Sequence, residues 1–275
     1  MRLPDGFDSG IEAIVAAGRS AVGHMKEREM RLLAMATAAC DAEGTVLEIG
    51  SYKGKSTVLL ARAARLGGRP GVVAVDPLTP DAVAATAAVT GADTAAVRAQ
   101  FYANVERAGV SADVEFHEMR STELARTWKR PIRLLWIDGD HSYAGARSDL
   151  SCFVPYLTDG AIVALHDVLS PFEGPVRVFA DDVLGSSRFG ACGFCGSIGW
   201  AQRTDDAERV QRFEPRRREL RGKLERLVPY VAGGARPRGW RRTAYKLWRW
   251  RVPHAGVDAD QWLRAIDGGA SCASR

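Results

Sequence analysis

The chain has 275 residues, 46% apolar and 26% charged, with a formal net charge of +5; that suits one large globular domain, or a domain with an extension. No apolar run approaches the ~18 residues of a membrane-spanning helix. The opening MRLPDGFDSGIEAIVAAG carries acids rather than the basic start of a signal sequence, and the five cysteines are scattered and odd in number, which excludes a disulfide scaffold and points to a cytoplasmic protein.

The first element expected is a helical region, Ser9 to Asp41, closing near Gly44. TVLEIG then reads as a buried strand, KSTVLLARAARLGG as a helix stopped by Gly67 and Gly68, and GVVAVDP as a second strand ending at Asp76. An Ala-rich stretch from Pro80 to Val97 precedes the helix VRAQFYANVERAG and the short strand DVEFHEM. PIRLLWIDGD is a buried strand ending in acids, YAGARSDLSCFVPYLTDG a helix with a glycine stop, and AIVALHDV another buried strand. Past the helix PVRVFADDVLGS, the stretch RFGACGFCGSIGWAQR alternates apolar and small residues like an antiparallel hairpin. Continuous apolar strands separated by helices predict a doubly wound, Rossmann-like α/β sheet covered on both faces. The expected division is a helical cap over 1–43, the α/β domain over 44–203 and a helical extension over 204–275. Cys192 and Cys195 form a C-x-x-C without a second ligand pair, which argues against structural zinc.

The loop EIGSYKGKST looks at first like a phosphate loop. Only Ser51, Tyr52 and Lys53 separate Gly50 from Gly54, one residue fewer than a Walker A loop needs before its lysine. Ligands of open α/β sheets bind at the carboxyl ends of the strands, and those ends here carry Glu48, Asp76, Asp138 and the pair His166-Asp167. Carboxylates repel phosphate and suit a neutral or cationic nucleoside. An acid at the end of the second strand can accept both hydroxyls of a ribose.

The spacing E-x-G-x-x-x-G followed by a strand-end acid resembles the cofactor motif of class I S-adenosylmethionine-dependent methyltransferases. The run IDGDHSYAGARSDLSCFVPYLTDGAIVALHD is similar to small O-methyltransferase-like proteins with a D-G-D-H-S-Y signature, related to catechol-type O-methyltransferases and cephalosporin-hydroxylase-type proteins. The resemblance spans Gly44 to Arg203. It implies methyl transfer from S-adenosylmethionine to a small-molecule or sugar hydroxyl, with donor contacts from Glu48, Gly50, Ser51, Tyr52, Gly54, Ser56, Asp76, Ser121, Asp138 and His141. It also implies a divalent ion, Mg²⁺ or Mn²⁺, held by Asp138, His166 and Asp167, where a histidine departs from the usual carboxylate or amide. Asp138 and His141 are the expected catalytic residues. Two roles stay open for His141, base toward the acceptor hydroxyl or cap of the helix that follows. Two other readings of the chain also stay open: a binding protein that kept the fold without turnover, and a metal-dependent hydroxylase-like enzyme.

Charge changes sign near residue 204. Arg209 to Arg251 holds 15 Lys and Arg against Glu214, Glu219 and Glu225, a net of +12, which leaves −7 for the rest of a +5 chain. In GWRRTAYKLWRWR the apolar residues Trp240, Ala244, Leu247 and Trp248 fall on one helical face. That face predicts packing on the body or on a second subunit, contact with a membrane surface, or binding of an acidic polymer or substrate. No nucleic-acid-binding module is recognisable, and the extension is expected to be separable from the donor site.

Overall fold

In the computed structural model, residues 3–79, 93–234 and 236–268 are described. The opening helical region divides into α1 (Phe7–Ser20) and α2 (Glu27–Ala39), because Ala21 leaves the helical region with ψ 133°. Then β1 (Thr45–Ile49), α3 (Lys55–Leu66) and β2 (Val72–Val75) follow as the apolar runs indicate. Of the Ala-rich stretch, residues 80–92 lie outside the described residues. Chain order continues with α4 (Thr94–Arg107), β3 (Val114–His117), α5 (Ser121–Ala125), β4 (Ile132–Ile137), α6 (Tyr143–Phe153) and β5 (Leu157–Leu165). The helix expected to run to Gly160 therefore stops at Phe153. Pro155 cannot donate a backbone hydrogen bond, and Leu157 to Gly160 open β5 instead.

After α7 (Glu173–Val178), the hairpin β6 (Phe189–Cys195) and β7 (Ile198–Arg203) forms as expected. The strands make one sheet in the order β3-β2-β1-β4-β5-β7-β6, in which β7 runs antiparallel to both neighbours. Chain direction across the sheet reverses between β1 and β4, so a crevice opens at their carboxyl ends. Cys192 and Cys195 lie three apart on β6 and therefore join opposite cores; burial pushes the two thiols up to about 12 and about 11, which suits packing and not metal binding.

Each sheet face has its own core. One gathers α1 to α4 over Val46, Leu134 and Trp136. The other gathers α5 to α7 over Leu47, Leu135 and Val163. The basic segment joins both. It forms α8 (Ala207–Glu225), α9 (Val228–Val231), α10 (Gly239–Trp250) and α11 (Ala259–Asp267). Leu220, Leu224, Leu227 and Val231 are fully buried in the second core, while Trp262 of α11 is fully buried in the first. Trp262 packs against Trp200 of β7, the rings tilted by 53° with centroids 4.6 Å apart. The expected separable tail is thus packed as part of the body. Its predicted apolar face is also rotated: Tyr245 and Trp248 pack inward with Val252, while Trp240 and Leu247 face outward. Among the described residues, no helix is long and apolar enough to cross a membrane.

Candidate active site

The loop between β1 and α3 is shaped by three left-handed residues, Gly50 (φ 84°), Tyr52 (φ 45°) and Gly54 (φ 78°). Gly50 has a second reason to be glycine. A Cβ there would collide with the backbone carbonyl of Asp138, so the loop and the end of β4 could not lie together. Asp76 at the end of β2 holds the loop from the other side, its Oδ2 accepting from Tyr52 N at 2.8 Å and its Oδ1 from Leu78 N at 2.9 Å. Burial raises the Asp76 carboxyl above its ordinary range, against the lowering effect of these amides. Ser51 lines the same cleft, and its buried Oγ has no partner.

Glu48 plays a different part from the one expected. It is fully buried and absent from the cleft wall. Its Oε2 accepts from Thr57 Oγ1 at 2.5 Å and its Oε1 has no partner. Burial pushes this carboxyl up to about 8, despite the lowering effect of the nearby Ser56 and Thr57 hydroxyls. Glu48 braces the start of α3 from behind. Lys55, the would-be phosphate lysine, instead donates to the Ala21 carbonyl at 3.1 Å.

Four residues converge where β4 and β5 end. His166 Nδ1 lies 3.1 Å from Asp138 Oδ1 and 3.7 Å from Asp167 Oδ2. His141 Nε2 lies 3.2 Å from Asp167 Oδ2 and 3.8 Å from Asp138 Oδ1. Both imidazoles therefore sit on one carboxylate pair. Burial alone would lower their pKa values, but Asp138 raises His166 well above the ordinary value and Asp167 raises His141. Asp167 itself is left-handed, with φ 57°, and its Oδ1 accepts from Ser170 Oγ at 2.5 Å. Ligand atoms of Asp138, His141 and Asp167 lie within 4.8 Å of one another. Two carboxylates and one imidazole form a donor set in which the nitrogen shifts preference from Mg²⁺ toward Mn²⁺, Fe²⁺ or Zn²⁺. The imidazole in this group is His141; the expected His166 stands against the same carboxylates.

Several contributors carried no sequence signal. Glu29 of α2 is buried, and its Oε2 lies 3.7 Å from His166 Nε2. Burial would raise it, but His166, Lys26 and Ser197 hold it down at about 2. Asp149 of α6 accepts from Ser121 Oγ, so the expected donor-binding serine is oriented by an acid that a helical pattern presents as ordinary. Burial pushes Asp149 up to about 6. Asn104 of α4 donates to the carbonyls of both Val22 and Lys53, tying the α1–α2 connection to the glycine loop. Across the site, Phe172 lies 4.5 Å from the His141 ring, and the Arg236 guanidinium sits 5.0 Å over Phe172. Glu173 accepts from the amides of Gly233 and Gly234, which brings Arg236 to the rim. The whole cleft encloses about 800 Å³, large enough for a nucleoside and a second molecule.

Solved structures share this architecture. The O-methyltransferase NovP superposes with a TM-score of 0.58 at 13% identity, covering 72% of this chain and 97% of that chain. The O-methyltransferase TomG from Streptomyces achromogenes, involved in tomaymycin synthesis and solved in complex with SAM, superposes with a TM-score of 0.50 at 19% identity, covering 72% of this chain and 90% of that chain. The sheet order and the antiparallel β7 are those of the class I methyltransferase fold. The family model described as a methyltransferase domain matches residues 47–168, and that similar stretch carries Gly50, Asp76, Asp138, His141, His166 and Asp167 of the cleft.

Proposed function

We propose that the chain is an S-adenosylmethionine-dependent O-methyltransferase acting on a small-molecule or sugar hydroxyl. The observation that carries this reading is the cleft at the β1–β4 reversal. It combines a glycine loop, an acid at the end of β2 and a carboxylate–imidazole cluster at the ends of β4 and β5, while Lys55 is engaged elsewhere. A sulfonium nucleoside fits such acidic surroundings, whereas a triphosphate would be repelled.

In this reading the donor lies along the loop. Asp76 accepts its ribose hydroxyls with the lone pairs left free by Tyr52 and Leu78, and Ser121 and Asp149 border its base. The acceptor lies between His141, Phe172 and Arg236, and a free guanidinium there favours acceptors that bear an anionic or hydroxyl-rich group. The chain's main contribution is to hold donor and acceptor in line, which can remove on the order of 7–11 kcal/mol of barrier. Asp138, Asp167 and His141 would hold a divalent cation, with His166 and Glu29 bracing the pair from behind. Such a cation would lower the pKa of the acceptor hydroxyl and orient it. Without a cation, His141, whose Nε2 faces both carboxylates, would be the group that can take the proton of the acceptor hydroxyl.

Calorimetric titration with S-adenosylmethionine tests the donor half: binding is expected, and none at millimolar donor would overturn the reading. Titration with Mn²⁺, followed by its paramagnetic resonance signal, tests the other half. One ion should bind, with His141→Ala weakening it at least about tenfold and His166→Ala weakening it less. The opposite ranking would make His166 the ligand and His141 the bystander.

A further inference from the structure

The proposed cleft leaves the outward side of α10 without a role, and that side carries most of the exposed large apolar residues among the described residues. Its inward side is fixed to the body. Tyr245 is buried and donates from its hydroxyl to the Ser170 carbonyl at 2.7 Å, Trp248 packs against the second core, and Arg241 donates to the Pro229 carbonyl. Its outward side carries Trp240, Leu247 and Trp250, which are 72%, 50% and 82% exposed. Positions 240, 243, 247 and 250 are spaced three, four and three apart, so these side chains form one stripe along the helix. Only Val22 and Tyr102 join them as exposed large apolar residues among the described residues; the apolar surface is therefore concentrated on this helix. The same segment carries the exposed cations Arg238, Arg242 and Lys246, and no acid occurs between Glu225 and Asp258.

We propose that α10 docks the protein on an anionic lipid surface, with Trp240, Leu247 and Trp250 entering the headgroup layer and the surrounding cations pairing with lipid phosphates. Indole rings favour the boundary between water and hydrocarbon, and a Trp-bearing stripe bordered by arginines is the pattern of an interfacial helix. Charge complementarity selects the occupant. A second copy docking through the same face would bring the same cations against these and be repelled. A hydrated polyanion would use the cations and leave two tryptophans and a leucine in water. An acidic membrane uses both. The inward contacts of Tyr245 and Trp248 hold the stripe outward, so docking requires no rearrangement of the body.

Flotation of the full-length chain with phosphatidylcholine vesicles, with and without phosphatidylglycerol, tests this. Binding is expected only with the anionic lipid, and salt should release it. The variant W240S/L247S/W250S changes exposed side chains alone, and a thermal melt like that of the unmodified chain checks its fold. It should bind at least about tenfold more weakly. R238Q/R242Q/K246Q, also exposed, should lose about fivefold per charge removed. Failure to float with anionic vesicles would overturn the proposal, as would undiminished flotation of the W240S/L247S/W250S variant. So would a lipid-free dimer, seen by analytical ultracentrifugation, that the same variant dissociates.

Discussion

Asp76 and Glu48 stand at the ends of neighbouring strands, yet their surroundings give them opposite tasks. Asp76 reaches the cleft while two backbone amides hold its carboxylate. Replacing it with Ala removes a charge-assisted acceptor, worth roughly 1.5–3 kcal/mol, so donor affinity should fall more than tenfold. Asp76→Asn should fall less, since it keeps one carbonyl oxygen for the loop. Equal affinity of the Ala variant and the unmodified chain in a calorimetric titration would remove Asp76 from the ribose. Glu48 is walled off from water and sits at about 8. Its folded-state pKa is raised above the unfolded value, so the folded chain binds the extra proton between the two. Stability should therefore fall as pH rises from about 4.5 to about 8, by at most on the order of 1.4 kcal/mol per pH unit from this group. Glu48→Gln keeps the acceptor for Thr57 and abolishes that slope. Urea unfolding at pH 6 and pH 8 measures it, and a variant with the same pH dependence as the unmodified chain would show that Glu48 is not protonated in the fold.

The glycine loop is an element whose geometry depends on its neighbour across the sheet. At Gly50, φ 84° and the nearby Asp138 carbonyl both exclude a Cβ. Gly50→Ala should cost at least about 1–3 kcal/mol of stability, and it should weaken both donor and Mn²⁺ binding, because relieving the clash displaces the end of β4. A variant with unchanged unfolding and unchanged affinity for both ligands would show that the two strand ends are not coupled. Much of this element level was legible in the sequence. The parallel strands are continuous apolar runs, and an acid or glycine at the end of such a run can only face the carboxyl edge of the sheet. Other features were hidden because they depend on packing between distant segments. Glu29, Asn104 and Asp149 look like surface residues of helices until α2, α4 and α6 are laid on the sheet. The outward turn of Trp240 was equally hidden. An apolar stripe at helical spacing fixes which residues share a face, and Tyr245, about 160° from Leu247 around the helix on the side of Trp248, decides which face is inward.

At the scale of the whole molecule, the basic segment belongs to the fold despite its opposite charge. Leu220, Leu224, Leu227, Val231 and Trp262 have no exposed surface. At roughly 1.5–3 kcal/mol for each large apolar side chain, their burial is comparable to the entire net stability of a domain, about 5–15 kcal/mol. The segment also reaches the site. Tyr245 Oη donates to the Ser170 carbonyl, Ser170 Oγ donates to Asp167 Oδ1, and Arg236 stands over Phe172. A chain ending at Arg203 should therefore fail to fold cooperatively, since β6 and β7 would lose the cover of α8 and α11. Trp262→Ala is the gentler test. It empties a space beside Trp200 and should cost about 3–5 kcal/mol in urea unfolding. Tyr245→Phe removes one hydrogen bond, about 1 kcal/mol, and should lower Mn²⁺ affinity as well, because Ser170 then loses one of the contacts that position it against Asp167. A truncated chain with a single sharp melt and full S-adenosylmethionine affinity would show that the α/β domain stands alone. Unchanged Mn²⁺ affinity in Tyr245→Phe would show that the segment supports the fold without supporting the site.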